Sequence, residues 1–206
     1  MSSPAVAARH ELYGALSAVD APPIGRDERT RALDRFFSTP SGREKPGRFW
    51  RFDFETFAPQ AAAIDLSPER LRIENNDARA IACDLQRAAR EHPQLLARAF
   101  GTTELPASKF GALATAFAHL GYFIWVPADH ACAQPIVVTY DAPPGAAIFP
   151  YGVVLAERGA RLTVVERITG AAGAFVCSAA EIVTEERADV VYAVVQRAES
   201  ARIVST

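Results

Sequence analysis

Two of the four histidines and one of the three cysteines fall within the stretch AHLGYFIWVPADHACAQPIVV, Ala118 to Val138. His130 and Cys132 are one residue apart, so an extended loop would point both the same way, and imidazole with thiolate is a donor pair for a transition metal. A closed zinc site takes about four ligands and a catalytic one about three with an open position. His119 is the natural third ligand. On a helix running into it, however, His119 falls on the Thr115 side, away from the stripe of Phe110, Leu113, Phe117 and Leu120. No C-x-x-C or H-x3-H pair completes the set. The spacing therefore favours a polar loop between two strands over a metal site.

Other reactive residue types have equally plain readings. Cys83 falls in a helix-like run with Arg79 and Arg87 one turn away and Arg90 two turns on, and positive neighbours favour a thiolate. On that face it reads as an exposed cysteine. Cys177, in AFVCSAA, alternates within a strand as a small buried hydrophobe. The glycine-rich TGAAGAF, Thr169 to Phe175, lacks the Lys-Ser/Thr of a phosphate loop and reads as a turn. Glu157, Glu185 and Glu186 fall in turns as solvated carboxylates, and the arginines of RDERTRALDR alternate with acids as a salt-bridged surface. No catalytic, cofactor-binding or metal-binding residue is assigned, and the chain is not expected to be an enzyme.

Composition narrows the class. Of 206 residues half are hydrophobic, and 22 Lys and Arg against 24 Asp and Glu leave a net charge of −2. No bulk electrostatic term favours nucleic acid or an anionic membrane. No apolar run approaches the roughly 20 residues of a membrane span. The N-terminal MSSPAVAARHELYGAL has no basic region followed by an apolar core, so no signal peptide is read. Three widely spaced cysteines do not make a disulfide framework, which fits a cytoplasmic protein with reduced thiols.

The elements that must position these residues change character near Gly121. Residues 1–121 read as a mainly helical region. Ser3 and Pro4 suit the start of a helix carrying Ala5, Ala8, Leu12, Leu16 and Val19 on one stripe. A second helix turns Leu33, Phe36 and Phe37 inward. In GRFWRFDFETF, Trp50, Phe52 and Phe54 alternate with Arg51, Asp53 and Glu55 as one aromatic, core-anchoring strand. Helix is predicted again from a cap at Asn76, with Ile81 and Leu85 on one face, an interruption at Pro93 and a stop at Gly101. A last helix ends at Gly121.

Residues 122–206 read as β. YFIWV is continuously apolar, as a strand buried on both faces requires. VLAERGARLTVV, Val154 to Val165, lies over IVTEERADVVYA, Ile182 to Ala193, at an offset of 28 residues. Short strands repeating at this length imply either stacked coils or regular hairpins of a sandwich.

The order of these pieces resembles the SufB/SufD family, the scaffold subunits of SUF-type iron–sulfur cluster assembly, and within it the SufD branch. The resemblance rests on GRFWRFDF, on KFGALATAFAHLGYFIWVP, on QPIVVTY and on the rung-like GARLTVVER and ADVVYAVVQR. It covers roughly Arg43 to Thr206, and its motifs are architectural. It implies an α+β chain in which an N-terminal helical region is followed by the first coils of a right-handed parallel β-helix. It also implies a SufB-like subunit and a SufC-like ATPase as partners, with pairing of two copies through the β-helix an open alternative. No cofactor is expected on this chain alone, the Fe–S cluster being handled by the full complex; a role for Cys83 or Cys132 in handling iron or sulfur is left open. Two departures stand out. The chain reads FPYGVV where the family often has an arginine, and family members continue for about as long again beyond ARIVST, so the expectation is a truncated SufD-like chain.

Two other classes remain as alternatives. A β-solenoid that binds or processes carbohydrate would need paired carboxylates on neighbouring rungs. A cupin-like metal sandwich would need histidines on its strands, whereas His10 and His92 fall in helical segments.

Overall fold

The computed structural model describes residues 4–19, 22–39, 63–103 and 108–206, with side chains described from Arg9 onward. The aromatic strand expected at Trp50, Phe52 and Phe54 and the cap expected at Ser3 lie outside these residues.

Two helices come first, α1 (Pro4–Leu16) and α2 (Arg26–Ser38). Leu12, Leu16, Leu33 and Phe36 are buried, as helical spacing predicts, and Val19 is buried too but lies past the end of α1, in the turn that follows it. Arg29 departs from the salt-bridged surface expected of this helix. It is buried and donates to the carbonyls of Ile24 at 3.2 Å and Ala116 at 3.0 Å.

A short 3-10 turn at Pro68–Arg70 leads into β1 (Leu71–Glu74). The residues from Asn76 to Gly101 do not form the single interrupted helix their composition predicts. Residues 75–80 are a loop, Ile81–Asp84 form β2, and helix begins only with α3 (Leu85–Glu91), followed by α4 (Pro93–Leu96). The α3 cap is Asp84, whose carboxylate accepts from Arg87 N at 2.8 Å. Asn76 therefore caps nothing. Pairing of β2 with a neighbouring strand outweighs the helical propensity of its Ala and Leu neighbours.

The next helix, α5 (Lys109–Phe117), is capped by Ser108, which accepts from Gly111 N at 2.9 Å. Every residue from Gly111 to Phe117 is buried, Thr115 included, so this helix has no outward side of the kind its stripe implied. It stops at Phe117, not at Gly121. Gly121 lies inside the following strand, where a Cβ would come within 2.7 Å of the Leu85 side chain. Its smallness lets α3 rest on the sheet.

From Leu120 the chain is a parallel β-solenoid. Its strands are β3 (Leu120–Val126), β4 (Ile136–Ala142), β5 (Ala147–Ile148), β6 (Pro150–Ala156), β7 (Arg161–Gly170), β8 (Phe175–Thr184), β9 (Asp189–Ala198) and β10 (Arg202–Ser205). Three faces stack in parallel: β3 on β6 on the second half of β8, β4 on β7 on β9, and β5 on the first half of β8 on β10. The registers Val154 with Ile182 and Arg161 with Asp189 reproduce the 28-residue offset of the sequence repeat. At one corner Asp129, Gly159 and Arg187 hold equivalent places in successive coils, with φ of 54°, 70° and 60°. A left-handed residue is what turns each coil there. The TGAAGAF segment is likewise a coil turn, with Gly173 at φ 76°.

The solenoid interior is one core, containing Tyr122, Ile124, Val126, Val138, Tyr140, Val154, Val164 and Ile168. The outward residues of β3, β6 and β8, among them Phe123, Tyr151, Val153 and Cys177, form a second core with the helices. β3 is thus buried on both faces, as YFIWV predicts. At the start of the solenoid, β1 pairs antiparallel with β4 and β2 antiparallel with β3. This hairpin-like cap covers strand edges that would otherwise be free.

Gly152 sits beneath Tyr122 in register, and a Cβ there would lie 2.4 Å from the Tyr122 hydroxyl oxygen. The variant Gly152→Ala should lose about 1–3 kcal/mol of stability from overpacking. Urea denaturation measures this, and pairing it with Tyr122→Leu should return part of the loss, because the two changes meet at one contact.

Candidate functional site

The corner between β3 and β4 is longer than its counterparts. Val126, Ala156 and Thr184 are in register, as are Ile136, Val164 and Tyr192. Ile136 follows Val126 by ten positions, whereas Val164 and Tyr192 follow their counterparts by eight. Ala131 still bridges to Arg161, so the two extra residues fall after it, in the run that starts with Cys132. The loop between β1 and β2 lies against this corner, tied by Asn76 Nδ2 donating to Gln134 Oε1 at 3.1 Å.

That loop is a tight polar turn. Asn75 Oδ1 accepts from Asp77 N at 2.9 Å, and Asp77 Oδ1 accepts from Arg79 N at 2.9 Å and Ala80 N at 3.3 Å. The other carboxylate oxygen, Asp77 Oδ2, lies 2.8 Å from His130 Nε2. Asp77, His130 and Cys132 are half-buried, and their donor atoms all lie within 4.8 Å of one another. Among the described residues this is the group of three His, Cys, Asp or Glu donors close enough to hold one ion.

Burial acts to raise the Asp77 pKa, but hydrogen bonds from His130 and from Arg79 N outweigh it and hold the carboxyl below its usual range. Burial pushes the Cys132 thiol up to about 11, helped by the charge of Asp77 and by the hydrogen bond to it. The carboxylate therefore stands between imidazole and thiol. A nucleophilic Cys-His-Asp array needs the imidazole in the middle and a depressed thiol pKa. The cluster has neither.

The expectation of a plain polar loop thus missed the third donor, which sits 53 positions before His130. His119 is not part of the cluster. It follows α5 instead of riding on it, and its Nδ1 is buried without a hydrogen-bond partner among the described residues. Burial lowers its pKa, partly opposed by a backbone hydrogen bond with Leu66. Cys83 is not an exposed helical thiol: it lies in β2, is buried opposite Phe123, and burial pushes its pKa up to about 11. Cys177 is buried as expected, and burial raises its thiol strongly.

Glu157 and Glu185 are not simply solvated. Both accept from Arg98, Glu157 Oε1 at 2.5 Å, while their other oxygens accept from Ala128 N and Arg158 N at 3.1 Å. Arg98 thereby links the corners of two successive coils. Two further carboxylates are buried. Glu181 is fully enclosed and accepts from Tyr151, Gly101 N and both the backbone and hydroxyl of Thr103. Glu166 points into the solenoid, accepting from Tyr192 at 2.6 Å and Tyr122 at 3.2 Å. Burial raises the Glu166 pKa, and the two tyrosine hydrogen bonds offset this only in part.

Compared with known proteins, the chain matches no protein-family model and no curated sequence. No helix among the described residues is long and apolar enough to cross a membrane.

Because native Glu166 holds its proton more tightly than the unfolded chain does, its contribution to stability falls as pH rises from the ordinary value of 4.5 through the raised one. The variant Glu166→Gln should remove that fall. Its melting temperature relative to the parent should therefore climb with pH across this window, and a pH-independent difference would contradict the assignment.

Proposed function

We propose that this chain is a non-catalytic, SufD-like scaffold subunit of cytoplasmic SUF-type iron–sulfur cluster assembly, acting with a SufB-like subunit and a SufC-like ATPase. The observation that carries the reading is the order and packing of the architecture. A helical region is followed by a parallel β-solenoid that opens on the doubly buried strand β3 with a coil of 30 residues and continues at a spacing of 28, and α5 packs against that solenoid. This is the arrangement the resemblance in KFGALATAFAHLGYFIWVP and the rung-like segments implies.

The cysteines support a partner-dependent role. A cluster is commonly held by four thiolates. This chain has three cysteines, with Cys83 and Cys177 in the helix-side core and Cys132 against the solenoid interior. The chain alone is therefore expected to hold no stable cluster. The buried carboxylates Glu166 and Glu181 are engaged with hydroxyl and backbone donors, which suits a structural role in the rungs.

Co-expression with a SufB-like subunit and a SufC-like ATPase tests the proposal. The expected result is one complex that survives size-exclusion chromatography, while anaerobic reconstitution of the chain alone with iron and sulfide leaves no stable visible absorption. Elution free of both partners, or a stoichiometric cysteine-dependent chromophore that contains inorganic sulfide on the lone chain, would overturn it.

A further inference from the structure

We propose that Asp77, His130 and Cys132 form a binding site for a single divalent transition-metal ion of the zinc or ferrous class. The inference is independent of the scaffold reading, since it rests on the donors alone.

The donor set is one carboxylate oxygen, one imidazole nitrogen and one sulfur, each within reach of the others. Zinc binds such atoms at about 2.0–2.3 Å, which places tetrahedral ligand atoms roughly 3.3–3.7 Å apart. The existing separations, 2.8 Å for Asp77 to His130 and at most 4.8 Å overall, need only small side-chain shifts to meet this. Three protein ligands leave a fourth position for water or another ligand, the arrangement of an open site. Imidazole with thiolate favours zinc, ferrous iron or cobalt over magnesium or calcium.

The backbone is organised for this before any ion arrives. Asp77 Oδ1 is occupied by the Arg79 and Ala80 amides, which leaves Oδ2 aimed at His130. Residues fixed by such turns lose little freedom on binding. Cys132 opens the two-residue excess found in this corner and in neither of its two counterparts. Those counterparts present Ala160 and Ala188 where His130 stands, so the donors occur in one coil only. On binding, the ion takes the place of the hydrogen bond between His130 Nε2 and Asp77 Oδ2. The Cys132 thiol gives up its proton to solvent as the metal–sulfur bond forms. The Nε2 proton that His130 shares with Asp77 is released to solvent as the metal–nitrogen bond forms, leaving the ring proton on Nδ1, and no oxidant or reductant is required.

Titration of the full chain with Co2+ under reducing conditions reads the site directly. The expected result is one equivalent bound with a thiolate-to-cobalt charge-transfer band, displaced by Zn2+. Cys132→Ser should remove the band, while Cys83→Ser leaves it intact. His130→Ala and Asp77→Asn should weaken binding at least as much as the roughly 10- to 100-fold cost of losing an outer-shell partner. If Cys132→Ser fails to fold, Zn2+ protection of Cys132 from alkylation in the parent protein is the second measurement, read by mass spectrometry. No charge-transfer band in the parent, a band that survives Cys132→Ser, or alkylation of Cys132 unchanged by Zn2+ would each overturn the proposal.

Discussion

An unpaired strand edge is the constraint on which the rest of this structure depends. A parallel solenoid presents a row of free backbone donors and acceptors at its first coil, and such an edge recruits other strands unless it is covered. Here β1 and β2 cover it by pairing antiparallel with β4 and β3. The loop joining the two cap strands must then cross the corner between β3 and β4. That crossing is why Asp77 meets His130 and Cys132. It also explains why α3 follows directly from β2 and lies over Gly121, where no side chain intervenes.

Charged groups bind the helices to one another and to the coils. Arg29 donates to Ala116 O, near the carbonyl-rich end of α5, where a cation is favoured. Glu181 gathers Gly101 and Thr103 from the segment between α4 and α5. Arg98 reaches across to Glu157 and Glu185 in two successive corners. Each buried charge is met by a donor or acceptor from another segment, which offsets the cost of removing it from water and fixes where the segments meet.

The sequence was most legible where local pattern and global pairing agree. YFIWV marks a strand that must be buried on both faces, and the 28-residue offset is the coil length because equivalent corners need equivalent left-handed turns. Where the two disagree, the reading failed. IACD sits in a run rich in helix formers, yet the edge of β3 draws it into a strand, and Cys83 moves from an imagined arginine-lined surface into a core. Gly121 looked like a helix stop because a glycine after a helical stripe usually is one, while its real task depends on Leu85, 36 positions earlier. The donor cluster was two-thirds legible. His130 and Cys132 announce themselves by spacing, whereas Asp77 is joined to them only by the folded cap. Three polar residues together, Asn75, Asn76 and Asp77, suit a turn as well as a helix start, and the fold uses them as a turn.

Tyr122, Gly152 and Ala180 form one inward-facing column through three coils, and Tyr140 stacks on Ile168 in another. The backbone ladder treats these coils as copies, but the volumes within them differ at every level. A ring in one coil occupies room that a glycine concedes in the next. The coils are therefore parts of a fixed sequence, not modules: hydrogen-bond register alone would permit shuffling, duplicating or exchanging them, and the complementary sizes of the side chains forbid it.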